Sequence, residues 1–292
     1  MSGLTAGLLT SENLPLLTED EQPLTRALKN HNYGIKPIIW NQDNWEGCDF
    51  LVFRNTWDYI HHYEEFLKFL DRLEFAKIPV LNNLQIIREN SDKSYLAKMQ
   101  DQELPVVPTQ FFKPAELRTA PLAKWVTEHK GEFVLKPSIS ADSYYTYRGS
   151  LDELLRKADA LPLSRYGQWM LQPFMTEIID EGEFSLVYFN GLPSHCVLKR
   201  VKPGDFRVQD TYGGTVVVHN ASAEMWNVAN KFLDFLDEVP TYARIDLIDW
   251  QQKLHLIELE LIEPCLFLRT DPNAGKRFAE AIDQKMKRLF CN

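Results

Sequence analysis

Near the carboxyl-terminal end of the chain, carboxylates alternate with aliphatic residues in two runs that flank a polar turn. The first run covers residues 242–249 and the second covers 254–264, with the turn over 251–253. Both runs are rich in strand-forming residues, so we predict an antiparallel hairpin with one aliphatic face and one acidic face.

The pairing of the two strands decides what the acidic face can do. A loop over 251–253 places Asp246 opposite Glu258, and it also pairs Arg244 with Glu260. A slip of one residue would move Asp246 to the aliphatic face. The structural alternative is an exposed acidic strand face. The aliphatic flanks favour a buried hairpin, where like charges stay ionised only beside a cation, and hard oxygen ligands suit Mg²⁺.

Composition indicates a globular chain that does not bind nucleic acid. The 292 residues are 45% hydrophobic and 25% charged, enough for two or three subdomains with a sizeable core. A net charge of -9 argues against non-specific binding to nucleic acid, whose affinity depends on neutralisation of its phosphates by lysine and arginine. The four cysteines show no zinc spacing and suit thiols in a reducing compartment. With no signal peptide and no membrane-spanning apolar run, we expect a cytoplasmic protein without a membrane partner.

Strands and helices alternate over residues 1–85, which predicts a small doubly wound α/β unit. In such units ligands bind beyond the carboxyl ends of the strands, where Arg54 follows an apolar run. Arg54 would clamp a substrate carboxylate there, with Trp57 and Tyr59 as pocket walls. Alternatively, the aromatic residues pack between subdomains, which we favour for Trp57, and Asp58 caps the next helix.

Further along, a lysine ends a buried strand. Lys136 closes the strand predicted over 132–137, and the polar loop 138–143 follows. A lysine in this position is usually a snorkelling surface residue, but the loop has backbone N–H groups that suit a phosphate. The dipeptide at 190–191 is Asn-Gly, which predicts a tight β-hairpin, and 274–290 has the pattern of an amphipathic helix.

Taken in chain order, the charged residues resemble the motifs of the ATP-grasp superfamily. The residues that carry the resemblance are Lys93, Lys136, Gln172, Pro173, Phe174, Glu183, Lys199, Arg207, Asp246, Glu258 and Glu260. Each motif is short, but their order and spacing are together specific. Segments 54–59, 183–186 and 260–264 are most similar to the glutathione-synthetase-like branch, which includes the cycloserine-biosynthesis proteins.

The resemblance implies an α/β chain with α+β character in its second half. An N-terminal doubly wound α/β subdomain would span 1–85, and the ATP-grasp small subdomain would span 86–172. The C-terminal ATP-grasp subdomain, with the metal-binding hairpin, would span 173–292.

The resemblance also implies a nucleotide site with a metal. Its residues are Lys93 and Lys136 at the phosphates, Gln172, Phe174 and Met175 in the adenine hinge, Glu183 at the ribose, Lys199 and Arg207 at the transferring phosphoryl group, and Asp246, Glu258 and Glu260 at the metal. The expected cofactors are ATP and one or two Mg²⁺ ions, with Mn²⁺ as a substitute. Phosphoryl transfer depends mostly on positioning and charge neutralisation, which these residue types supply.

The reaction implied is ATP-dependent ligation of a carboxylate, from an amino acid or a small peptide-like metabolite, to an amine, a thiol or a similar nucleophile through an acyl phosphate. We take Arg54, Asp58 and Ser185 as candidate substrate contacts. Ser185 stands where related synthetases carry a cationic substrate contact. The partners would be small molecules, and the protein a monomer or a homodimer.

One departure from the pattern keeps two alternatives open. The phosphate-covering loop is usually glycine-rich in this superfamily, yet 138–148 contains no glycine, which puts its close approach to phosphate in question. A nucleotide-binding module without ligase activity is therefore one alternative. A metal-dependent nuclease would also explain the acidic hairpin, but it leaves the earlier lysines without a role.

Overall fold

The computed structural model describes residues 3–42, 44–113, 116, 120–129, 131–160, 167–208 and 213–290, which form three β-sheets flanked by helices. The α-helices are α1 (Gln22–Asn30), α2 (Tyr63–Ala76), α3 (Leu84–Asn90), α4 (Tyr95–Asp101), α5 (Ala120–Glu128), α6 (Leu151–Asp159), α7 (Glu177–Asp180), α8 (Ala223–Asp234) and α9 (Ala274–Phe290). Short 3-10 helices span Glu19–Glu21, Trp40–Gln42 and Trp57–His62.

The first sheet is parallel and has the order β2-β1-β3-β4. Its strands are β1 (Thr5–Thr10), β2 (Gly34–Ile39), β3 (Phe50–Asn55) and β4 (Val80–Leu81). Phe50 and Val52 of β3 pack with α1 and α9, whereas Leu51 and Phe53 pack with α2 on the other face. Successive strand residues therefore supply two cores, and the predicted doubly wound unit is confirmed.

Helix α9 returns from the far end of the chain to cover this sheet. It packs closely on α1, since a Cβ on Gly275 would lie 2.4 Å from the carbonyl carbon of Pro23. Any larger residue at this position would push the two helices apart. The amphipathic helix predicted over 274–290 is confirmed, and it ties the last element to the first sheet.

The second sheet is antiparallel, in the order β5-β8-β6-β7. Its strands are β5 (Gln110–Phe112), β6 (Phe133–Pro137), β7 (Tyr147–Gly149) and β8 (Trp169–Pro173). Phe133 and Leu135 of β6 face a core shared with α5 and α6. The intervening residue Val134 and the following Lys136 line a cavity on the other face.

The third sheet is also antiparallel, in the order β11-β10-β9-β12-β13. Its strands are β9 (Glu183–Phe189), β10 (Leu192–Arg200), β11 (Thr215–His219), β12 (Tyr242–Trp250) and β13 (Lys253–Glu260). The Asn190-Gly191 turn joins β9 to β10, as predicted. Strand β11 was not predicted, because its partly exposed residues show no clean alternation of apolar and polar types.

The α/β fold class with an antiparallel second half is confirmed. One sheet falls in each of the segments 1–85, 86–172 and 173–292, to within one residue at β8, and the subdomain boundaries themselves stay a proposal. Cys48, Cys196 and Cys265 are free thiols, and Cys291 lies outside the described residues. Among the described helices, none is both long and apolar enough to cross a membrane.

Candidate active site

A cavity of about 400 Å³ is lined by the second sheet, the third sheet and the segment that follows β3. The predicted site residues that line it are Lys93, Lys136, Gln172, Phe174, Met175, Glu183, Lys199, Arg207, Asp246, Glu258 and Glu260. These residues lie on many separate elements. The tertiary structure therefore brings most of the predicted site into one place.

The acidic hairpin of β12 and β13 has the predicted register at its functional end. Asp246 pairs with Glu258, and Arg244 pairs with Glu260. The carboxylates of Asp246, Glu258 and Glu260 all line the cavity, as does the Arg244 guanidinium. The register prediction is confirmed.

The turn that leads to this register differs from the predicted turn. The loop is a two-residue turn at Gln251 and Gln252, and a β-bulge at Ile257 adds one residue to β13. Before the bulge Leu256 faces the core, and after it Leu259 does, so the alternation changes phase. The sequence carries this signal, because Leu256 and Ile257 are adjacent apolar residues in an otherwise alternating strand.

Buried ion pairs connect the acidic residues across the third sheet. Arg244 contacts Asp246 at 2.9 Å and also pairs with Glu260. Lys199 lies 3.2 Å from Asp246 and pairs with Glu183 on the adjacent strand. Arg244 was not among the predicted site residues, although its position opposite Glu260 could have indicated it.

These contacts set the protonation of the carboxylates. Burial opposes ionisation of Asp246, but Arg244 and Lys199 hold the pKa of its carboxyl well below the usual range. Burial raises the pKa of Glu260 to about 8; Arg244 opposes this rise, and the charge of Glu258 adds to it. Burial therefore disfavours the ionised form of Glu260, and a further cation would favour it.

The three carboxylates that were predicted to bind metal do not form a preformed metal site. Each predicted ligand is held by a cationic side chain, including Glu258, which lies 3.0 Å from the Lys93 ammonium. Among the described residues, no cluster of three or more His, Cys, Asp or Glu side chains is arranged to hold a metal ion. The donor chemistry of Asp246, Glu258 and Glu260 suits Mg²⁺, and binding would require the paired cations to move.

The two lysines that were predicted to bind the phosphates both line the cavity, but they differ in their ion pairing. The Lys93 ammonium donates to the carbonyl of Ser140 and pairs with Glu258. Lys136 has no ion pair among the described residues, and burial lowers the pKa of its ammonium. Lys136 is thus available to pair with an anionic ligand, which would favour its charged form.

The glycine-free loop after Lys136 also lines the cavity. Asp142, Ser143 and Tyr145 have φ values of 47°, 56° and 51°, in the left-handed region that glycine usually supplies. The absence of glycine has therefore not kept this loop away from the cavity.

The predicted adenine hinge lies at the end of β8. The Gln172 amide donates to the Thr109 hydroxyl at 2.8 Å, and the Arg148 guanidinium lies 3.6 Å from the centre of the Phe174 ring. Met175 is buried and lines the same wall. The adenine role of these residues stays a prediction.

The predicted catalytic residue Arg207 and the predicted ribose contact Glu183 each form an ion pair with a neighbouring side chain. Arg207 donates to Asp205 through Nε and Nη2, at 3.0 and 2.8 Å, while it lines the cavity. Glu183 faces the cavity but is paired with Lys199, so a contact with ribose hydroxyls stays a prediction.

Arg54 does not lie in the cavity, and its prediction as a substrate clamp is wrong. Its side chain is fully buried and donates to both carboxylate oxygens of Glu21, at 3.0 and 2.8 Å, and to the carbonyl of Pro264 at 3.0 Å. A guanidinium already satisfied by a bidentate carboxylate serves the core rather than a ligand.

Asp58 and Ser185 are also displaced from their predicted roles as substrate contacts. Asp58 accepts a hydrogen bond from the Trp40 indole at 2.8 Å, and it neither lines the cavity nor caps α2. Ser185 is fully buried beneath the site and donates to Asp246 at 2.6 Å. Ser185 therefore supports a candidate ligand of the metal rather than facing substrate.

Residues from the N-terminal unit and from the end of the hairpin complete the cavity. Trp57 and Tyr59 line it, and the Trp57 indole donates to the carbonyl of Glu263 at 2.9 Å. Trp57 and Tyr59 thus form cavity wall, which is the alternative that we did not favour for Trp57. Glu263 also lines the cavity.

Sequence comparisons identify relatives of the whole chain and of its first unit. Residues 6–82 match the family model described as D-cycloserine synthetase DcsG, N-terminal domain. The cycloserine biosynthesis protein DcsG of Streptomyces lavendulae is 26% identical over 98% of this chain and 99% of its own length. The predicted resemblance to this branch is confirmed.

Solved structures agree on the fold. The crystal structure of D-cycloserine synthetase DcsG superposes with a TM-score of 0.85 at 24% identity, over 97% of this chain and 100% of its own. D-alanine–D-alanine ligase from Bacillus anthracis, complexed with ATP, gives 0.70 at 15% identity over 98% of both chains. The ATP-grasp ligase PsnB, complexed with a phosphomimetic precursor variant, Mg and ADP, gives 0.65 at 12% identity over 98% of this chain and 100% of its own.

Proposed function

We propose that this chain, which has the ATP-grasp fold, is an ATP- and Mg²⁺-dependent ligase that joins a small carboxylate to an amine or similar nucleophile. The observation that carries the proposal is the cavity, where cations and carboxylates from separate elements meet. Lys136, which has no ion pair among the described residues, lies at one wall, and Asp246, Glu258 and Glu260 offer acid at another. Nucleotide phosphates accompanied by a metal need both.

The chemistry divides into two displacements. The substrate carboxylate oxygen attacks the γ-phosphorus of ATP, the bond from this phosphorus to the bridging oxygen breaks, and ADP leaves. The nucleophile then attacks the acyl carbon of the acyl phosphate, phosphate leaves with the bonding electrons, and the nucleophile loses a proton. Both steps place negative charge on oxygens that positioned cations can stabilise.

The residues of this chain supply that positioning. Lys93 and Lys136 hold the phosphates of ATP, and Lys199 and Arg207 neutralise the transferring phosphoryl group. A single well-placed donor of this kind contributes about 3–4 kcal/mol to transition-state stabilisation. Gln172 to Met175 hold the adenine, and Glu183 holds the ribose.

Asp246, Glu258 and Glu260 would hold magnesium, which would supply positive charge that offsets the charge of the nucleotide phosphates. Arg244 and Lys93 hold these carboxylates before the metal arrives. One or two ions are expected, and Mn²⁺ is expected to substitute because it accepts the same oxygen ligands.

The partners in this proposal are small-molecule carboxylates and amines. The monomeric or homodimeric state and the cytoplasmic location stay predictions. A nuclease is not favoured, because the acidic hairpin lies in an ATP-grasp fold beside cations that suit nucleotide phosphates.

Replacement of Lys136 by glutamine tests the proposal. We expect the purified chain, with ATP and Mg²⁺, to release ADP when supplied with the right pair from a panel of amino acids, other carboxylates and amines. Lys136→Gln should lower that rate by about 100-fold or more, because an unpaired cation at the phosphates is lost. ADP release and the mass of the product are measured together.

Lys68→Gln, at an exposed position on α2, is the matched control and should keep the wild-type rate. Circular dichroism should show both variants folded. Unchanged ATP affinity and rate in Lys136→Gln would contradict the assigned site. ATP binding without ADP release across the panel would indicate a nucleotide-binding module instead.

A further inference from the structure

Side chains of α3 and α4 close the free edge of β13, which is the last strand of the third sheet. At Leu256 this edge pairs with the backbone of residues 105–107. Beyond the bulge at Ile257, the backbone of Leu259 and of the following Leu261 instead hydrogen bonds to side chains. Edge strands without a partner expose backbone groups, and these side chains take the place of the missing strand.

The Tyr95 hydroxyl makes both of the backbone contacts that a neighbouring strand would make at Leu259. It accepts a hydrogen bond from the Leu259 N–H at 3.0 Å and donates one to the Leu259 carbonyl at 2.9 Å. The Asn90 amide also donates to this carbonyl, at 2.8 Å, and its oxygen accepts from the Leu261 N–H at 2.9 Å. The Leu259 carbonyl therefore has two side-chain partners, whereas its N–H has the Tyr95 hydroxyl.

Leu259 stands between two of the carboxylates that line the cavity. Its own side chain is buried in the core that it shares with Tyr95, while Glu258 and Glu260 on either side of it face the cavity. This is the alternation of a strand, in which neighbouring residues point to opposite faces. The backbone of Leu259 therefore sets the places from which both carboxylates extend.

The carboxylates have a second set of restraints, which a metal would have to replace. Glu258 pairs with Lys93, and Glu260 pairs with Arg244. Both cations bind the carboxylate oxygens that a metal would use, so they compete with it. Tyr95 bonds to the backbone and does not compete, so its restraint persists when the carboxylates change partner.

We propose that Tyr95 is a positioning residue, whose hydroxyl fixes the backbone between Glu258 and Glu260 and so keeps both carboxylates in place for a divalent cation. The inference rests on the proposed function for the presence of that cation. The Tyr95 side chain is buried in the core and lies outside the set of described residues that line the cavity. It acts through Leu259 and not by contact with a ligand.

Replacement of Tyr95 by phenylalanine removes the hydroxyl and keeps the ring. The probe is Mn²⁺, whose binding is followed by electron paramagnetic resonance in the presence of a non-hydrolysable ATP analogue. We expect Tyr95→Phe to lower the affinity for Mn²⁺ by about 10-fold, an effect typical of groups that hold metal ligands in place. Its affinity for the analogue in EDTA should stay close to wild type, because no metal takes part in that measurement.

Tyr188→Phe is the matched control. Tyr188 is buried in the same core, and its hydroxyl donates to Asn230 at 3.0 Å, so the substitution removes a comparable hydrogen bond. The affinity of this variant for Mn²⁺ should equal that of the wild type. Hydrogen exchange of the metal-free protein gives an independent readout. The amides of residues 258–261 should exchange faster in Tyr95→Phe than in the wild type or in Tyr188→Phe.

The outcomes separate this inference from the proposed ligase. Mn²⁺ binding that depends on Tyr95, without ADP release across the substrate panel, supports the inference and contradicts the ligase. ADP release by the wild type, with the same Mn²⁺ affinity in Tyr95→Phe, supports the ligase and overturns the inference. Equal losses in Tyr95→Phe and Tyr188→Phe, an equal loss of nucleotide affinity in EDTA, or failure of Tyr95→Phe to fold would assign the hydroxyl a general structural role and also overturn it.

Discussion

Arg54 and Arg244 are both buried arginines that pair with carboxylates, yet only Arg244 lines the cavity. Arg54 is enclosed by Glu21, the carbonyl of Pro264 and the rings of Tyr242 and Phe278, whose centres lie 5.3 and 5.5 Å from its guanidinium carbon. The residue type alone therefore does not distinguish an arginine that stabilises the core from one that lines the cavity. Its partners show that Arg54 stabilises the junction of the first unit with the third sheet.

Removal of Arg54 should destabilise the whole chain. Arg54→Met would leave Glu21 buried without a cation, and we expect the free energy of unfolding to fall by about 3–5 kcal/mol. Urea denaturation followed by circular dichroism measures this change. The matched control is Arg269→Met, which removes an exposed pair with Glu19 and should cost about 0–1 kcal/mol. Equal effects of the two substitutions would contradict a structural role for Arg54.

At the scale of elements, the hairpin of β12 and β13 shows how a local irregularity sets a site. The turn is one residue shorter than predicted, and the bulge at Ile257 compensates for it. A regular strand with this turn would have placed Ile257, and not Glu258, opposite Asp246. The carboxylate pairing thus depends on the bulge.

The turn itself is strained in a way that a substitution can relieve. Gln251 and Gln252 have φ values of 52° and 60°, where residues with a Cβ are disfavoured. Gln251→Asn with Gln252→Gly should raise the free energy of unfolding by about 1 kcal/mol and leave activity unchanged. Urea denaturation measures it, and Gly191→Gln in the neighbouring hairpin should change stability in the opposite direction. A loss of stability in the double variant would count against this account of the turn.

At the scale of the whole molecule, elements from all parts of the chain surround one cavity. The first unit contributes Trp57 and Tyr59, the second sheet contributes Lys136, and the third contributes the acidic hairpin. A ligand that fills the cavity therefore contacts separate parts of the chain at once. Its binding should stabilise the folded chain as a unit.

A non-hydrolysable ATP analogue with Mg²⁺ should raise the melting temperature of the full chain. At 100 times its Kd, a ligand that binds only the folded state adds about 2.7 kcal/mol to the free energy of unfolding. Thermal denaturation with and without EDTA separates the contribution of the metal, and EDTA should remove most of the shift. The same shift in Lys136→Gln, or a shift unaffected by EDTA, would contradict the proposed phosphate and metal residues.

Most elements, though not β11, and most cavity residues can be predicted from the sequence, because alternation, turn residues and charge order are local properties of the chain. It predicted α9, the Asn190-Gly191 hairpin, the pairing of Asp246 with Glu258, and the order of lysines and carboxylates that line the cavity. The roles of single side chains could not be predicted in this way and depend on the folded arrangement. Arg54 pairs with Glu21 in the core, and Ser185 donates a hydrogen bond to Asp246. Arg244 and Glu263 line the cavity, and the carboxylates pair with cations rather than forming one cluster. The physical reason is that burial and pairing depend on residues distant in sequence, so a charged side chain acquires its role only from the partners that folding brings to it.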